Sequence, residues 1–136
     1  MTLAGERKYK DKAVIGFIEF VQCLSSEGDL YTVKARIDSG ATKSSIDHKL
    51  AEKLGLTKKI LGEKTIRNAH GSVRRKLIEV TIKIADKTIT EKFTLADRTS
   101  MRFPVLIGRN ILKEGFLIDP EKKLPKKESK KEGVKK

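Results

Sequence analysis

The apolar pattern of the chain begins at Ala13. Ala13-Val14-Ile15-Gly16-Phe17-Ile18-Glu19-Phe20-Val21 is dense in β-branched and aromatic residues and predicts a strand bent at its glycine. Ser25 to Asp29 is a turn cluster, and Leu30 to Ile37 alternates well enough to be the returning strand of a hairpin. Ile78, Val80, Ile82 and Ile84 alternate with Glu79, Thr81 and Lys83, as in a half-buried strand. Asp86-Lys87 reverses the chain into Thr88 to Leu95, where Ile89, Glu91, Phe93 and Leu95 share a face. Pro104 to Ile107 is a short continuous apolar run, read as a buried strand. Helical signals are few. Asp47 to Leu54 predicts a short helix with Asp47 as N-cap, Gly55 as stop and Leu50, Ala51 and Leu54 on one face, and Arg109 to Lys113 predicts a helical turn closed by Gly115. Thr65 to Val73 has strand-like ends around a centre that turns at Gly71, and Phe116-Leu117-Ile118 is expected to supply a terminal strand at a dimer interface, ended by Pro120. The sum is a mostly β protein with one or two short helices and no internal repeat.

Composition narrows this to one small domain. A chain of 136 residues suits a single core, and 38% hydrophobic with only 5% aromatic residues predicts that Ile, Leu and Val fill it. The expected organisation is a flexible N-terminus over 1–11, a folded domain over 12–120 and a disordered basic tail over 121–136. No apolar run is long enough to cross a membrane, and Met1 to Asp11 is too polar for a signal peptide. The single cysteine, Cys23, allows no internal disulfide, which fits a reducing, cytoplasmic setting. It has no evident base beside it and reads as a small buried residue.

The net charge of +13 is unevenly spread: Glu121 to Lys136 carries eight Lys and three Glu, and the body of the chain holds the rest of the surplus. The tail has almost nothing to bury. It is either a solvated, solubilising tail or an anchor to RNA, a ribosome or another polyanion; no aromatic residue is interleaved to stack on bases.

Candidate chemistry concentrates where the second strand of the hairpin ends. Arg36-Ile37-Asp38-Ser39-Gly40-Ala41 carries an apolar strand into an acid, a hydroxyl and a glycine free to take backbone angles other residues avoid. By themselves these residues are equally the makings of an ordinary turn. A second stretch, Phe103-Pro104-Val105-Leu106-Ile107-Gly108-Arg109-Asn110-Ile111-Leu112, changes the picture. An Asp-Ser-Gly-Ala turn followed far downstream by an apolar strand ending in Ile-Gly-Arg-Asn-Ile-Leu resembles the retropepsin-like aspartic proteases. With Ala96 to Pro104 and Gly115 to Pro120 the chain is similar to the family within them usually labelled ATP-dependent zinc proteases, which is associated with a glutamate ligase that modifies a ribosomal protein. The resemblance covers roughly Lys12 to Lys122.

The resemblance implies a single-lobe retropepsin-like acid-protease barrel and a role for each motif residue. Asp38 would be the catalytic acid, Ser39, Gly40 and Ala41 the active-site turn, and Gly108, Arg109 and Asn110 a structural turn. Asn68, Ala69, His70 and Gly71 would form the tip of a flap over substrate; otherwise they are a plain exposed hairpin loop. Hydrolysis by acids needs two carboxylates, one taking a proton from water and one still protonated, and this chain offers one Asp-Ser-Gly turn. A two-fold homodimer bringing together two copies of Asp38 supplies the second. In many viral relatives the residue four after the acid is itself acidic and pairs with the arginine of the Gly-Arg-Asn turn; here it is Thr42, so Arg109 is expected to turn to Asp97, Asp119 or substrate.

No cofactor is expected. There is no His-Glu-x-x-His helix, and His48, His70 and Cys23 lack metal-ligand spacing, so the zinc label finds no support in the residues. His48 reads as a surface histidine. Arg36 and Lys43 flank the acid, while Arg67 and Arg74, with Arg75 and Lys76, flank the flap. These charges would favour an acidic peptide or a glutamate-modified protein, or else they are solvated surface charges. The leading expectation is a homodimeric aspartic peptidase. The competing one is a non-catalytic module that holds a ribosomal or RNA partner on its basic surface.

Overall fold

The computed structural model describes residues 7–98 and 101–124. Its elements, in order, are β1 (Arg7–Tyr9), β2 (Lys12–Ile15), β3 (Ile18–Leu24), β4 (Leu30–Ile37), β5 (Ser44–Asp47), α1 (His48–Lys53), β6 (Gly62–Asn68), β7 (Gly71–Ile84), β8 (Lys87–Ala96), β9 (Val105–Ile107), α2 (Arg109–Leu112) and β10 (Phe116–Ile118).

The single bent strand expected over 13–21 is instead two strands, β2 and β3, which part at Gly16-Phe17 and enter different sheets; β3 alone forms the hairpin with β4, with Ile18 opposite Arg36 and Leu24 opposite Leu30. Val21, Cys23, Ala35 and Ile37 point inward and are buried. The main sheet runs β3-β4-β9-β5-β8-β7-β6, and a further pairing of β3 with β7, Cys23 opposite Ile82, closes it. Six strands therefore make a barrel, and β6 stands outside it on β7 alone. Inside are Ile46, Ile78, Ile82, Ile84, Phe93, Val105 and Ile107, all 0% exposed. Each such side chain contributes about 1.5–3 kcal/mol of burial free energy.

β7 is one strand of 14 residues with two environments. Its first half pairs with β6 and is exposed, while its second half pairs with β8 and takes up the buried alternation that begins at Ile78. The sequence reads these halves as separate elements, because the alternation is audible only where one face meets the core. The chain reverses at Ala85-Asp86, one residue earlier than expected, with Ala85 at φ 56°.

The strand order in the barrel positions the candidate site. β9 lies between β4, to which it is parallel, and β5, to which it is antiparallel. β4 and β5 are the strands that flank Asp38. A segment remote in sequence thus returns to fill the gap between them.

A second sheet, β1-β2-β10, brings Phe116–Ile118 back to the early strands, with β10 parallel to β2. Paired or bonded residues occur beyond both of the expected limits, 12 and 120. Arg7–Tyr9 pairs antiparallel with Lys12–Val14, where the sequence reads as a frayed polar end. Lys122, assigned by sequence to the tail, instead forms a buried ion pair with Glu19 at 2.8 Å, and Glu19 also accepts from the Gly16 amide at 2.7 Å. Residues 1–6 of the expected N-terminus and 125–136 of that tail lie outside the described residues. Among the described residues no helix is long and apolar enough to cross a membrane.

Candidate active site

Asp38 follows the last residue of β4 and is half-buried, between buried Ile37 and exposed Ser39. Its backbone N–H donates to the Ile107 carbonyl at 2.9 Å, the bond by which β9 holds the strand end. The turn is closed on itself: Gly40 N–H donates to Asp38 Oδ1 at 2.9 Å, and Ala41 N–H to the Asp38 carbonyl at 3.2 Å. Gly40 does not take a left-handed φ, contrary to the freedom expected of it. Its missing side chain instead leaves room beside Asp38 Oδ1, which would lie 3.3 Å from a Cβ.

The Gly108-Arg109-Asn110 turn grips this loop from beneath. The first amides of α2 have no partners within their own helix. Arg109 N–H donates to the Ala41 carbonyl at 2.8 Å and Asn110 N–H to the Thr42 carbonyl at 3.2 Å. Gly108 passes so close that a Cβ there would fall on the Lys43 carbonyl and 2.8 Å from that of Ala41. Buried Ser44 locks the arrangement by accepting from the Gly108 N–H at 2.9 Å and donating to Asn110 Oδ1 at 2.8 Å. Asn110 Nδ2 donates in turn to the Lys92 carbonyl at 2.9 Å.

Arg109 does not reach for Asp97 or Asp119 as expected. Nη1 donates to the Ser39 carbonyl at 3.1 Å and Nη2 to Thr42 Oγ1 at 3.2 Å. Thr42 therefore keeps the contact with Arg109 expected of an acid, as a neutral acceptor.

The expected hairpin is present. Asn68 faces Gly71, the turn is Ala69-His70, and Ala69, His70 and Gly71 are exposed at its tip. Arg67 is exposed, as are Arg36 beside Asp38 and Arg74 farther along the hairpin, while Lys43 is half-buried. Arg74 is already matched: it is paired with Glu63 on the facing strand at 2.6 Å.

The sequence reading assigned no role to Arg98 or Ser44, and it gave Asp47 only a cap. Asp47 does cap α1, its Oδ2 accepting from Lys49 and Leu50 amides at 3.1 and 3.4 Å. Its other oxygen accepts from the Arg98 N–H at 2.7 Å, and its own amide donates to the Pro104 carbonyl at 2.8 Å. Arg98 continues to the Phe103 carbonyl at 2.9 Å and Ser45 Oγ at 3.3 Å. Burial lowers the Arg98 pKa, and Arg75 and Arg36 push the same way while Asp47 and Asp38 oppose. Arg98 thus stands in the field of Asp38. The only available signal was the Asp97-Arg98 pair within a motif whose partners lie half a chain away.

Among the described residues no three His, Cys, Asp or Glu side chains gather as a metal site. Cys23 is buried in the barrel, and burial pushes its thiol up to about 12.

The family model described as retropepsin-like aspartic endopeptidase RimB matches residues 47–129. The chain belongs to this RimB-like family. The matched stretch contains the β6–β7 hairpin, β9 and the Gly108 turn and starts after Asp38, so the candidate acid rests on the turn geometry above. No curated protein matches the chain. Among solved structures the chain resembles EIAV protease complexed with the inhibitor HBY-793, at 21% identity and a TM-score of 0.57 over 71% of this chain and 85% of that one. A Legionella pneumophila protein of unknown function gives 20% identity and a TM-score of 0.55 over 79% and 92%. Simian foamy virus protease gives 14% and 0.51 over 71% and 91%. At these identities the likeness is one of fold: this RimB-like chain has the retropepsin barrel.

Proposed function

We propose that this RimB-like protein is an aspartic peptidase that works as a homodimer on acidic peptides, with one Asp38 from each chain. The observation that carries this reading is the mounting of Asp38: a half-buried acid at a strand end, in a turn held on three sides by Ile107, Arg109 and Asn110 backbone. Such bracing suits a group that must keep its position while it exchanges protons. One chain supplies one such acid. Two copies meeting at a two-fold axis share a proton, since adjacent carboxylates do not both ionise easily, and they titrate as a unit. The ionised member takes a proton from water and the protonated one donates to the substrate carbonyl, giving a tetrahedral intermediate that collapses with proton transfer to the leaving amine. Ser39 would bond across the axis, and the Asn68–Gly71 tip would close over the chain being cut. The exposed Arg36 and Arg67 and the half-buried Lys43 favour acidic peptides, and a glutamate tail on a protein is one such substrate.

The test is sedimentation of the wild-type chain over a concentration series, combined with cleavage of glutamate-rich peptides by wild type and Asp38→Asn. A dimer whose cleavage is lost in Asp38→Asn, with dimerisation and folding intact, is expected. A chain that stays monomeric at high concentration, or cleavage that survives Asp38→Asn, overturns the reading. Polyanion binding that weakens steeply with salt, with no cleavage, would point to the binding module instead.

A further inference from the structure

A cleft of about 520 Å³ opens beside the flap, between α1, the loop after it, the exposed half of β7 and the end of β8. Its volume suits a side chain or a short piece of extended peptide. Arg75 and Lys76 line it together with Arg74, whose charge Glu63 already answers. The ion pairs Lys8–Asp86, Arg74–Glu63 and Lys122–Glu19 involve neither Arg75 nor Lys76. Ile60, 42% exposed, and Leu95 supply apolar wall against which aliphatic stems can lie. The cleft is not uniformly basic. Glu52 and Asp97 also line it, and Asp97 is engaged within the protein. With Arg74 answered, Arg75 and Lys76 equal these two acids in number, which disfavours a dense polyanion and leaves direct contact with Arg75 as the way to hold a single carboxylate.

The cleft also connects to the candidate site. Beside Arg75 in the cleft wall is Asp97, whose neighbour Arg98 bonds Asp47 and Ser45 on β5, and β5 pairs with the β9 strand whose Ile107 carbonyl holds the Asp38 amide. An extended peptide advances about 3.3 Å per residue with alternate side chains on one face, so a chain cut at Asp38 can present an acid some residues away.

We propose that this cleft is a second subsite of the peptidase, taking a carboxylate side chain of the substrate remote from the scissile bond, with Arg75 as its specificity-determining residue. The inference rests on the peptidase reading for its purpose but not for its test. The probe is the capped hexapeptide Glu-Ala-Glu-Ala-Glu-Ala, against the same peptide with Gln for Glu, titrated calorimetrically into the full-length Asp38→Asn chain. Amide shifts are followed by NMR in parallel. The Glu peptide is expected to bind at least tenfold more tightly than the Gln peptide and to shift residues 57–60 and 75–76. Arg75→Glu and Arg75→Gln should each erase at least tenfold of that affinity, and Arg75→Lys should restore most of it, with circular dichroism confirming the fold. Affinity within twofold of the parent in Arg75→Glu, or shifts confined to Ser39 and Gly40, overturns the subsite. With Asp38 restored, Arg75→Glu should raise KM for a cleaved acidic peptide and leave kcat unchanged. Cleavage with unaltered KM would sink the subsite and spare the peptidase. Arg75-dependent binding without any cleavage by wild type would sink the peptidase and spare the subsite.

Discussion

Arg109 and Thr42 are joined by a 3.2 Å hydrogen bond from Nη2 to Oγ1, and the same guanidinium reaches the Ser39 carbonyl at 3.1 Å. One side chain therefore spans the turn that carries Asp38. The contact is exposed and its acceptor neutral, so it is worth about 0.5–1 kcal/mol. Thr42→Val should lower unfolding free energy by about that amount. Thr42→Asp supplies a charged acceptor and should raise it by about 0.5–1 kcal/mol at low salt, a gain that fades in molar salt. Urea unfolding at two ionic strengths checks both, and a Thr42→Asp gain that ignores salt would count against a charge-assisted bond.

Ser44 is the buried counterpart of that contact. Ser44→Ala leaves the Gly108 N–H and Asn110 Oδ1 without their hydroxyl partner, at a cost of about 1–3 kcal/mol. Because Asn110→Ala removes one of the same bonds, the double variant should cost measurably less than the two single losses added together. Additive losses in urea unfolding would show that the two side chains act separately.

Gly108→Ala tests close approach rather than backbone strain. The residue sits at φ −105°, open to any amino acid, yet a methyl would meet the carbonyls of Lys43 and Ala41. Backbone on both sides has little room to yield, so a loss of about 1–3 kcal/mol or more is expected. Since those carbonyls belong to the Asp38 loop, any peptidase activity should fall further than stability at 25 °C accounts for. A variant with wild-type stability would show that the loop yields freely.

Lys122 and Glu19 are about a tenth exposed as side chains, so their pairing is a buried one. Lys122→Ala would leave the Glu19 carboxylate with the Gly16 amide but without its cation, and should cost about 3 kcal/mol. Replacing both, as Glu19→Gln with Lys122→Met, should cost much less. The comparison by thermal melting separates the value of the pair from the penalty of stranding one charge.

Cys23 gives the pH prediction. Its thiol is raised from 9.0 to about 12 in the folded state, because burial disfavours the thiolate. Below pH 9 both states hold the proton and stability is unaffected. As pH rises from 9 towards 12 the unfolded chain loses it first, so stability falls by about 1.4 kcal/mol per pH unit. Cys23→Val removes this component, so the slope of urea stability between pH 9 and 10.5 should be shallower than in wild type. Equal slopes would mean that the thiol titrates normally.

What the sequence determined by itself was local. Alternation at Ile78–Ile84, the turn residues at Ser25–Asp29 and the Asp47 cap each depend on neighbours a few positions away, and each element formed where it was expected. The paired motifs around Asp38 and Gly108 also signalled the retropepsin family. Tertiary structure decided which strands meet. The insertion of β9 between β4 and β5 is a contact between distant segments, and no local period encodes it. From it follow the grip on the Asp38 loop, the choice of Ser39 and Thr42 as partners of Arg109, and the double use of Asp47. The ends of the chain fell to the same cause. Arg7–Tyr9 and Lys122 are polar and look unstructured alone, and they are ordered because folding brings β2 and buried Glu19 to them.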